Sequence, residues 1–460
     1  MEAATGVRPY VGRPAAASSQ LAQAAASRAA DWPRTTRLLP WLLFGFLAMI
    51  WVIPFDSVLL PAGLPVNLTL DRAFLLLLTV VWLCSADAVP ARERRISRIH
   101  WAFGIFAAIA IISVLANSDA LVRVGDIELA IKQLALLCSY VIFFGLAASI
   151  LRASEVSKMI TALLAFATLT ALAVIVEYRL GINVFHEYIG PLFPGYVRPP
   201  GIGTVDSIGR KQIFGPTVQP LATSVMLAMA LPFALTWLLK AKERRERIIY
   251  STAVVILIGG IMATQKKTSV IAPLVVIAVV TAYRPRGMVR LLPLAFVLLI
   301  VTHFTAPGAL GGVFDQLSPQ QATQVNSTQD RVSDYEAIAP DVAGRPIIGR
   351  GYGSYDQIKH RILDNQYLTL AIGVGFLGLV AYLSIFVLSF FAINPVARLG
   401  GPERAPPAIA AVAGMAVALV GGGILDFLSF PQLPYLFCLM AAIAYIFDRE
   451  RRSGSAPPSS

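Results

Sequence analysis

Long apolar stretches separated by short polar segments follow one another along most of the chain. About twelve of them approach the ~20 residues with which a helix crosses the hydrocarbon core of a bilayer. The pattern therefore predicts an all-α, polytopic integral membrane protein with about twelve transmembrane helices and a long extracytoplasmic loop before the tenth span. The predicted spans begin near Leu38, Leu68, Trp101, Ile131, Met159, Leu221, Ile249, Thr268, Leu291, Gln366, Ala408 and Leu433.

The composition supports this interpretation. Hydrophobic residues make up 57% of the 460 residues and charged residues only 14%, which is too little polar surface to cover a soluble globule. Cys84, Cys138 and Cys438 lie within apolar runs and are too scattered for a disulfide framework or a zinc site. We therefore expect them to be packing residues.

The excess of 38 basic over 26 acidic residues does not by itself indicate a nucleic-acid partner, because membrane proteins collect Lys and Arg in their cytoplasmic loops. If the N-terminus is cytoplasmic, every short basic loop and the C-terminus are cytoplasmic too. This places the protein in the plasma (inner) membrane, with no nucleic acid expected. The predicted organisation is a disordered tail 1–37, a transmembrane domain 38–448 with outer loops at about 179–220 and 306–366, and a cytoplasmic tail 449–460.

Several basic residues face outward in this topology, against the usual bias. Each could pair with a nearby carboxylate, and this alternative stays open for any single residue. As a set, outward cations beside membrane spans suit an anionic group at the outer leaflet, such as a lipid phosphate or diphosphate. The residues are Arg198, Arg210, Lys211, Lys266, Lys267, Arg331, Arg345, Arg350, Lys359 and Arg361.

A glycine-rich stretch, PIIGRGYGSY, occupies residues 346–355. It lacks the Gly-Lys-Ser/Thr ending of a phosphate-binding loop, and it is predicted to lie outside the compartment that holds nucleotides. Two interpretations remain: the glycines form tight turns beside the membrane, or they let backbone amides approach a phosphate oxygen.

Together, several segments resemble the bacterial O-antigen ligase and O-antigen polymerase family. The resemblance rests on Arg331 and Tyr335, then PIIGRGYGSY, then DNQYL and an apolar span that opens with GVGFLGL. Upstream, RKQIFGPTVQP and the hairpin ATQKKTS are similar to further family motifs. The family-like region covers about 210–392.

The resemblance implies a membrane-embedded glycosyltransferase that uses neither a metal nor another cofactor. It would transfer a glycan from an undecaprenyl diphosphate carrier to an acceptor hydroxyl on the outer face. Expected partners are this lipid-linked glycan, membrane lipid and, as further candidates, polysaccharide assembly proteins.

By position in the motifs, Arg210 and Lys267 would bind the diphosphate, with Lys211, Lys266 and Arg331 as alternates. The Lys266–Lys267 pair departs from the family, where the hairpin usually carries Ser-Arg, and it replaces a planar fork with a point charge.

Asp364 stands where ligases commonly have a histidine that serves as candidate general base. Asp364 could take that role, His360 could share it if the intervening residues are helical, or Asp364 could cap the following helix. The missing histidine modestly favours polymerisation over ligation. Candidate acceptor or glycan contacts are Arg350, Tyr352, Tyr355 and Asn365.

Two rival functions fit the same composition. A secondary transporter for a small anion would also attract substrate with outward cations, but its charges should concentrate at the midplane, beside paired broken helices. A non-catalytic partner in an envelope complex would show neither activity.

Overall fold

A computed structural model describes residues 38–60, 68–85, 96–205, 209, 211–266, 268–291, 293, 327–357 and 359–454. In these residues the chain is helical, with isolated bridges but no strands. We number the helices α1 (Leu38–Val52), α2 (Leu70–Cys84), α3 (Arg98–Ala116), α4 (Ser118–Val124), α5 (Ile127–Ile150), α6 (Ala153–Leu180), α7 (Pro220–Lys240), α8 (Arg244–Ala263), α9 (Thr268–Tyr283), α10 (Pro285–Val289), α11 (Ser327–Gly344), α12 (Gln366–Leu399), α13 (Ala405–Gly422) and α14 (Gln432–Gly454).

The all-helical, multi-pass membrane class is confirmed. Within the described part of the chain, seven helices are long and apolar enough to cross a bilayer, and α1 and α9 are shorter apolar helices. Helices coincide with the predicted spans except for the one near Leu291, most of which lies outside the described residues. Large apolar side chains such as Leu76, Trp101, Leu115 and Phe391 are exposed, as expected of helices that face lipid.

Helix α7 lies at the centre of the bundle, and its sequence explains why it can. Pro220 begins the helix, where its missing N–H is not needed. Almost every side chain of α7 is buried, and α13 packs against it through small residues such as Ala411 and Gly414. Small side chains let helix backbones approach closely, which is a main source of association energy in membranes.

The bundle has two chemically different ends. One end, which we call the loop end, gathers the described residues 55–60, 117–126, 181–205, 211–219, 264–266, 345–357, 359–365 and 423–431. For example, the Val197 N–H donates to the Ser57 carbonyl at 2.8 Å. The opposite end, which we call the basic end, gathers 240–247, 284–290, 398–404 and 449–452, where Lys240 meets Glu403 at 2.8 Å. The described segments that connect successive long helices therefore lie alternately at the two ends of the bundle, as expected of a chain that crosses a membrane repeatedly.

Helix α12 is broken at Gly375, whose φ of 65° and ψ of −172° are not helical. In an unbroken helix the N–H groups of Phe376 and Leu377 would donate to the carbonyls of Ile372 and Gly373. Here they donate to Pro346 and Ile347 instead, at 2.8 and 3.2 Å. The break therefore separates two pairs of backbone groups that the helix would have joined.

The glycine-rich stretch supplies the missing partners on the other side of the break. The Arg350 N–H donates to the Ile372 carbonyl at 2.9 Å, and the Gly351 N–H donates to the Gly373 carbonyl at 3.0 Å. Gly349 has a φ of 66°, and a Cβ there would lie 2.4 Å from the Gly373 backbone. These glycines therefore allow tight turns, and their missing side chains let the backbone of the stretch contact the backbone of α12 directly.

We expect Gly375→Ala to destabilise the protein by about 3 kcal/mol or more, because φ is positive and a Cβ would lie 2.3 Å from the Ile347 carbonyl oxygen. Thermal unfolding in detergent should report the loss. Gly104→Ala is the matched control, because Gly104 lies in regular α3 with nothing within 4 Å of its Cβ position. Equal unfolding temperatures for the two variants would contradict this account of the break.

Candidate functional site

The segment that leads into α7 is fixed by a buried carboxylate. Glu177, near the end of α6, accepts hydrogen bonds from the N–H groups of Phe214 and Gly215 at 3.0 and 2.8 Å. This turn belongs to the family-like motif RKQIFGPTVQP. Lys211, four residues before Gly215, is exposed at the loop end, and Arg210 lies outside the described residues.

The hairpin between α8 and α9 is tied to the same end of α7 by hydroxyl groups. The hydroxyl oxygens of Thr264 and Ser269 lie 2.7 Å apart, and the Ser269 hydroxyl oxygen lies 3.4 Å from that of Ser224 in α7. Lys266 is half-buried at the hairpin tip, and its N–H donates to the Ser269 hydroxyl at 3.2 Å. Lys267 lies outside the described residues. The hairpin and the entry to α7 therefore meet, as their shared predicted role requires.

Four of the residues singled out in the sequence form one cluster with a carboxylate that sequence reasoning missed. Asp126 is buried at the start of α5 and contacts Arg350 at 3.3 Å and Lys359 at 2.6 Å. Arg350 also lies over the Tyr355 ring and 3.5 Å from Nε2 of His360. The hydrogen bond to Asp126 raises the pKa of Lys359. Asp126 thus holds the segment 350–360 against the bundle.

Two polar side chains, one near the end of α3 and one directly after it, complete this attachment. Ser113 Oγ lies 2.6 Å from the Ile348 carbonyl oxygen and 2.8 Å from that of Gly373. The Asn117 amide donates to the Gly349 carbonyl at 3.1 Å, and its oxygen accepts from Arg345. Arg345 is therefore hydrogen-bonded to another part of the protein, although the residue is exposed.

The tyrosines of the glycine-rich stretch are placed differently. Tyr352 is only 6% exposed and packs edge-on against Phe106, so it anchors the stretch in the core. Tyr355 is half-buried beside His360, with ring centroids 5.2 Å apart. Of the two, Tyr355 is the one that retains access from the loop end.

The start of α12 corrects two expectations about Asp364. Residues 361–365 are not helical, so His360 and Asp364 do not share a helix face. The cap of α12 is Asn365, whose side-chain oxygen accepts from the N–H groups of Tyr367 and Leu368. Asp364 is exposed and is not the cap. The adjacent Asn365 has the extended backbone that a capping residue needs, so it takes the position.

A second carboxylate lies close to Asp364. Asp426 is buried in the turn after α13, where its Oδ2 accepts from Ser429 at 2.6 Å and from Gln357 at 3.1 Å. Burial raises the pKa of Asp426 to about 6, the charge of Asp364 adds to the rise, and both hydrogen bonds oppose it. The site thus contains an exposed and a buried carboxylate that interact.

The structure therefore brings together Arg350, Tyr355 and His360 in one cluster, and places Asp364 and Asn365 beside Asp426. Helix α11 contains Arg331, but its side chain is outside the described part. Sequence reasoning missed the roles of Asp126 and Gln357. The one available signal for Asp126 was its place in a predicted outer turn between two apolar spans.

We expect Asp126→Asn to lower the free energy of unfolding by about 2 kcal/mol, because a buried carboxylate would no longer compensate Arg350 and Lys359. Thermal unfolding in detergent should show the loss, and trypsin should cleave the segment 350–361 faster. Glu128→Gln is the control, because Glu128 is exposed and pairs with Lys132, one helical turn away. Unchanged unfolding and cleavage would show that Asp126 does not hold the segment.

The raised pKa of Asp426 gives a pH-dependent prediction. Its folded pKa of about 6 exceeds the ordinary 3.8, so its contribution to stability is present at low pH and is lost as pH rises through about 6. When the pH falls from about 7.5 to about 5, the free energy of unfolding of Asp426→Asn should therefore increase by about 1 kcal/mol less than that of the unmodified protein. Asp119→Asn, at an exposed site, should keep the unmodified response when both are followed by thermal unfolding.

Comparison with known proteins agrees with the resemblance seen in the sequence. No curated protein matches the chain. Residues 252–383 match the family model described as O-antigen ligase, and this range contains the hairpin, the glycine-rich stretch, Asp364 and the break at Gly375. Asp126, Asp426 and the entry to α7 lie outside it. Over residues 252–383, this multi-pass membrane protein is therefore similar to the O-antigen ligase family.

Proposed function

We propose that the protein transfers a glycan from an undecaprenyl diphosphate carrier to an acceptor hydroxyl, at the loop end of the bundle. The observation that carries the proposal is that Asp364, inside the family-matched region, is exposed beside the buried Asp426. A family of glycan transferases needs a group that removes a proton from an incoming hydroxyl, and this pair can supply it.

In the proposed reaction, the acceptor oxygen forms a bond to the anomeric carbon of the donor glycan. The bond from that carbon to the diphosphate oxygen breaks, and the hydroxyl proton passes to the Asp364 carboxylate. Two neighbouring carboxylates disfavour being charged together, so the pair takes up a proton more readily than one aspartate would. Asp426 would thereby assist Asp364 without contacting the sugar.

The other candidate base is less well placed. The Nε2 atom of His360 already faces Arg350 at 3.5 Å, so the nitrogen that a base would use lies against a guanidinium. We therefore assign the base to Asp364. His360 and Tyr355 would border the site of the acceptor glycan, with Arg350 held behind them by Asp126.

The leaving diphosphate needs fixed positive charge, which is most effective in a water-poor pocket. We assign this role to Arg210 and Lys267, with Lys211, Lys266 and Arg331 as alternates. In support, the hairpin that contains Lys266 is joined to α7 through Ser269 and Ser224, and the segment that contains Lys211 leads into the same end of α7. No metal or cofactor is needed in this scheme.

We assign the loop end to the outer face and the basic end to the cytoplasm of the plasma membrane. The basic end holds the short loops rich in Lys and Arg, which marks the cytoplasmic side of membrane proteins. The transporter alternative gains no support from the broken helix, because the backbone groups freed at Gly375 bond to the glycine-rich stretch.

Separate Arg210→Ala, Lys267→Ala and Asp364→Ala variants should each lower polymer or ligation product at least about 100-fold, while the lipid-linked repeat accumulates. Lys267→Arg should retain activity, because it keeps the charge. Purified protein should also consume a lipid-diphosphate-linked glycan in vitro, and the product would distinguish chain extension from transfer to a lipid core.

Exposed Asp119→Asn and Arg245→Ala serve as matched controls and should retain normal product. The proposal fails if all three alanine variants make normal product, or if vesicles containing the protein accumulate a small anion while the lipid-linked glycan is left intact.

A further inference from the structure

A large apolar groove runs between α9, α12 and α13. Its volume is about 760 Å³, within the range that holds a sizeable ligand. Phe386, Phe390 and Met415 line its length, and Leu419, in the last turn of α13, lines the end towards the loop end. The groove lies at membrane level because α12 and α13 are both candidate spans.

Polar groups occur together at the other end of the groove, which is the basic end. The Tyr283 hydroxyl donates to the Asn394 side-chain oxygen at 2.7 Å. Arg398 donates through Nε to the same oxygen at 3.2 Å. One amide oxygen therefore holds both side chains, and it orients the exposed guanidinium without neutralising its charge.

Other cations at this end are neutralised by the protein itself. Lys240 pairs with Glu403 at 2.8 Å, and Arg404 pairs with Glu450 at 2.5 Å. Among the described residues, the guanidinium of Arg398 contacts an amide rather than a carboxylate. A positive charge is thus kept at the mouth of an apolar groove, at the depth where lipid phosphates lie.

We propose that this groove binds an anionic phospholipid of the cytoplasmic leaflet. One acyl chain lies along Phe386 and Phe390, and the phosphate contacts Arg398 with the Tyr283 hydroxyl beside it. The apolar side chains of the groove bury the acyl chain. The Arg398 guanidinium provides the positive charge that favours an anionic over a zwitterionic headgroup.

The carrier lipid of the proposed reaction is a different molecule with its diphosphate at the opposite end. Asp364 precedes the first residue of α12, whereas Arg398 lies in the last turn of that helix. A lipid whose headgroup sits at Arg398 therefore cannot present its phosphate to the loop end. The lipid site stands independently of the proposed transfer reaction, and none of its residues is assigned to that reaction.

Native mass spectrometry of the full-length protein, with phosphatidylglycerol or phosphatidylethanolamine of identical acyl chains added to the micelles, tests the proposal. Phosphatidylglycerol should be retained preferentially, and Arg398→Ala should lower that preference about fivefold. Arg245→Ala is the matched control, because Arg245 is exposed at the same end but does not line the groove. It should leave the preference unchanged.

Ala416→Phe is the second variant, since Ala416 lines the groove and a phenyl ring there would obstruct it. Retention of both lipids should fall in this variant. The proposal is overturned by equal retention of the two lipids, by an equal loss in Arg245→Ala, or by unchanged retention in Ala416→Phe. It is also overturned if a polyprenyl phosphate is retained in place of phosphatidylglycerol.

Discussion

The requirement that every backbone N–H and C=O inside a membrane protein find a partner governs this structure. An unsatisfied backbone group costs several kcal/mol in hydrocarbon. The break at Gly375 would leave two carbonyls and two N–H groups without their helical partners, and residues 346–351 supply a partner for each. The loop that leads to the candidate site is therefore as firmly positioned as a helix, although it has no regular structure of its own.

This arrangement also limits what the outward cations can do. Arg345 is engaged by Asn117, and Arg350 and Lys359 are held by Asp126. For Arg350 and Lys359 the pairing alternative describes the structure, whereas Arg345 bonds to an amide, and all three side chains fasten the loop. Of the residues proposed to bind the leaving diphosphate, Lys211 lies before the entry to α7 and Lys266 lies in the hairpin after α8.

The sequence could predict the helices because apolar length and local capping chemistry determine them. Pro220 at the start of α7 and the polar DN pair before α12 mark helix starts that the structure reproduces. Features that depend on distant residues could not be predicted. Asp126 and Arg350 are far apart in the chain, and nothing local to either indicates their contact.

The break in α12 could not be predicted either. The segment GVGFLGL is also compatible with a continuous span, since glycine is common in membrane helices and the sign of φ at Gly375 is not visible in a sequence. The choice between Asp364 and Asn365 as cap likewise depends on backbone angles.

The polar side chains that hold the glycine-rich stretch come from α3 and from the start of α5, whereas the family match begins only at residue 252. The matched region is thus not a structural unit on its own. Its loop takes its shape from a helix more than a hundred residues upstream, and its buried carboxylate neighbour Asp426 follows downstream. Changes in the two halves of such a protein are coupled: a relative that altered Ser113 or Asn117 would need a compensating change in a loop that shares no local sequence with them.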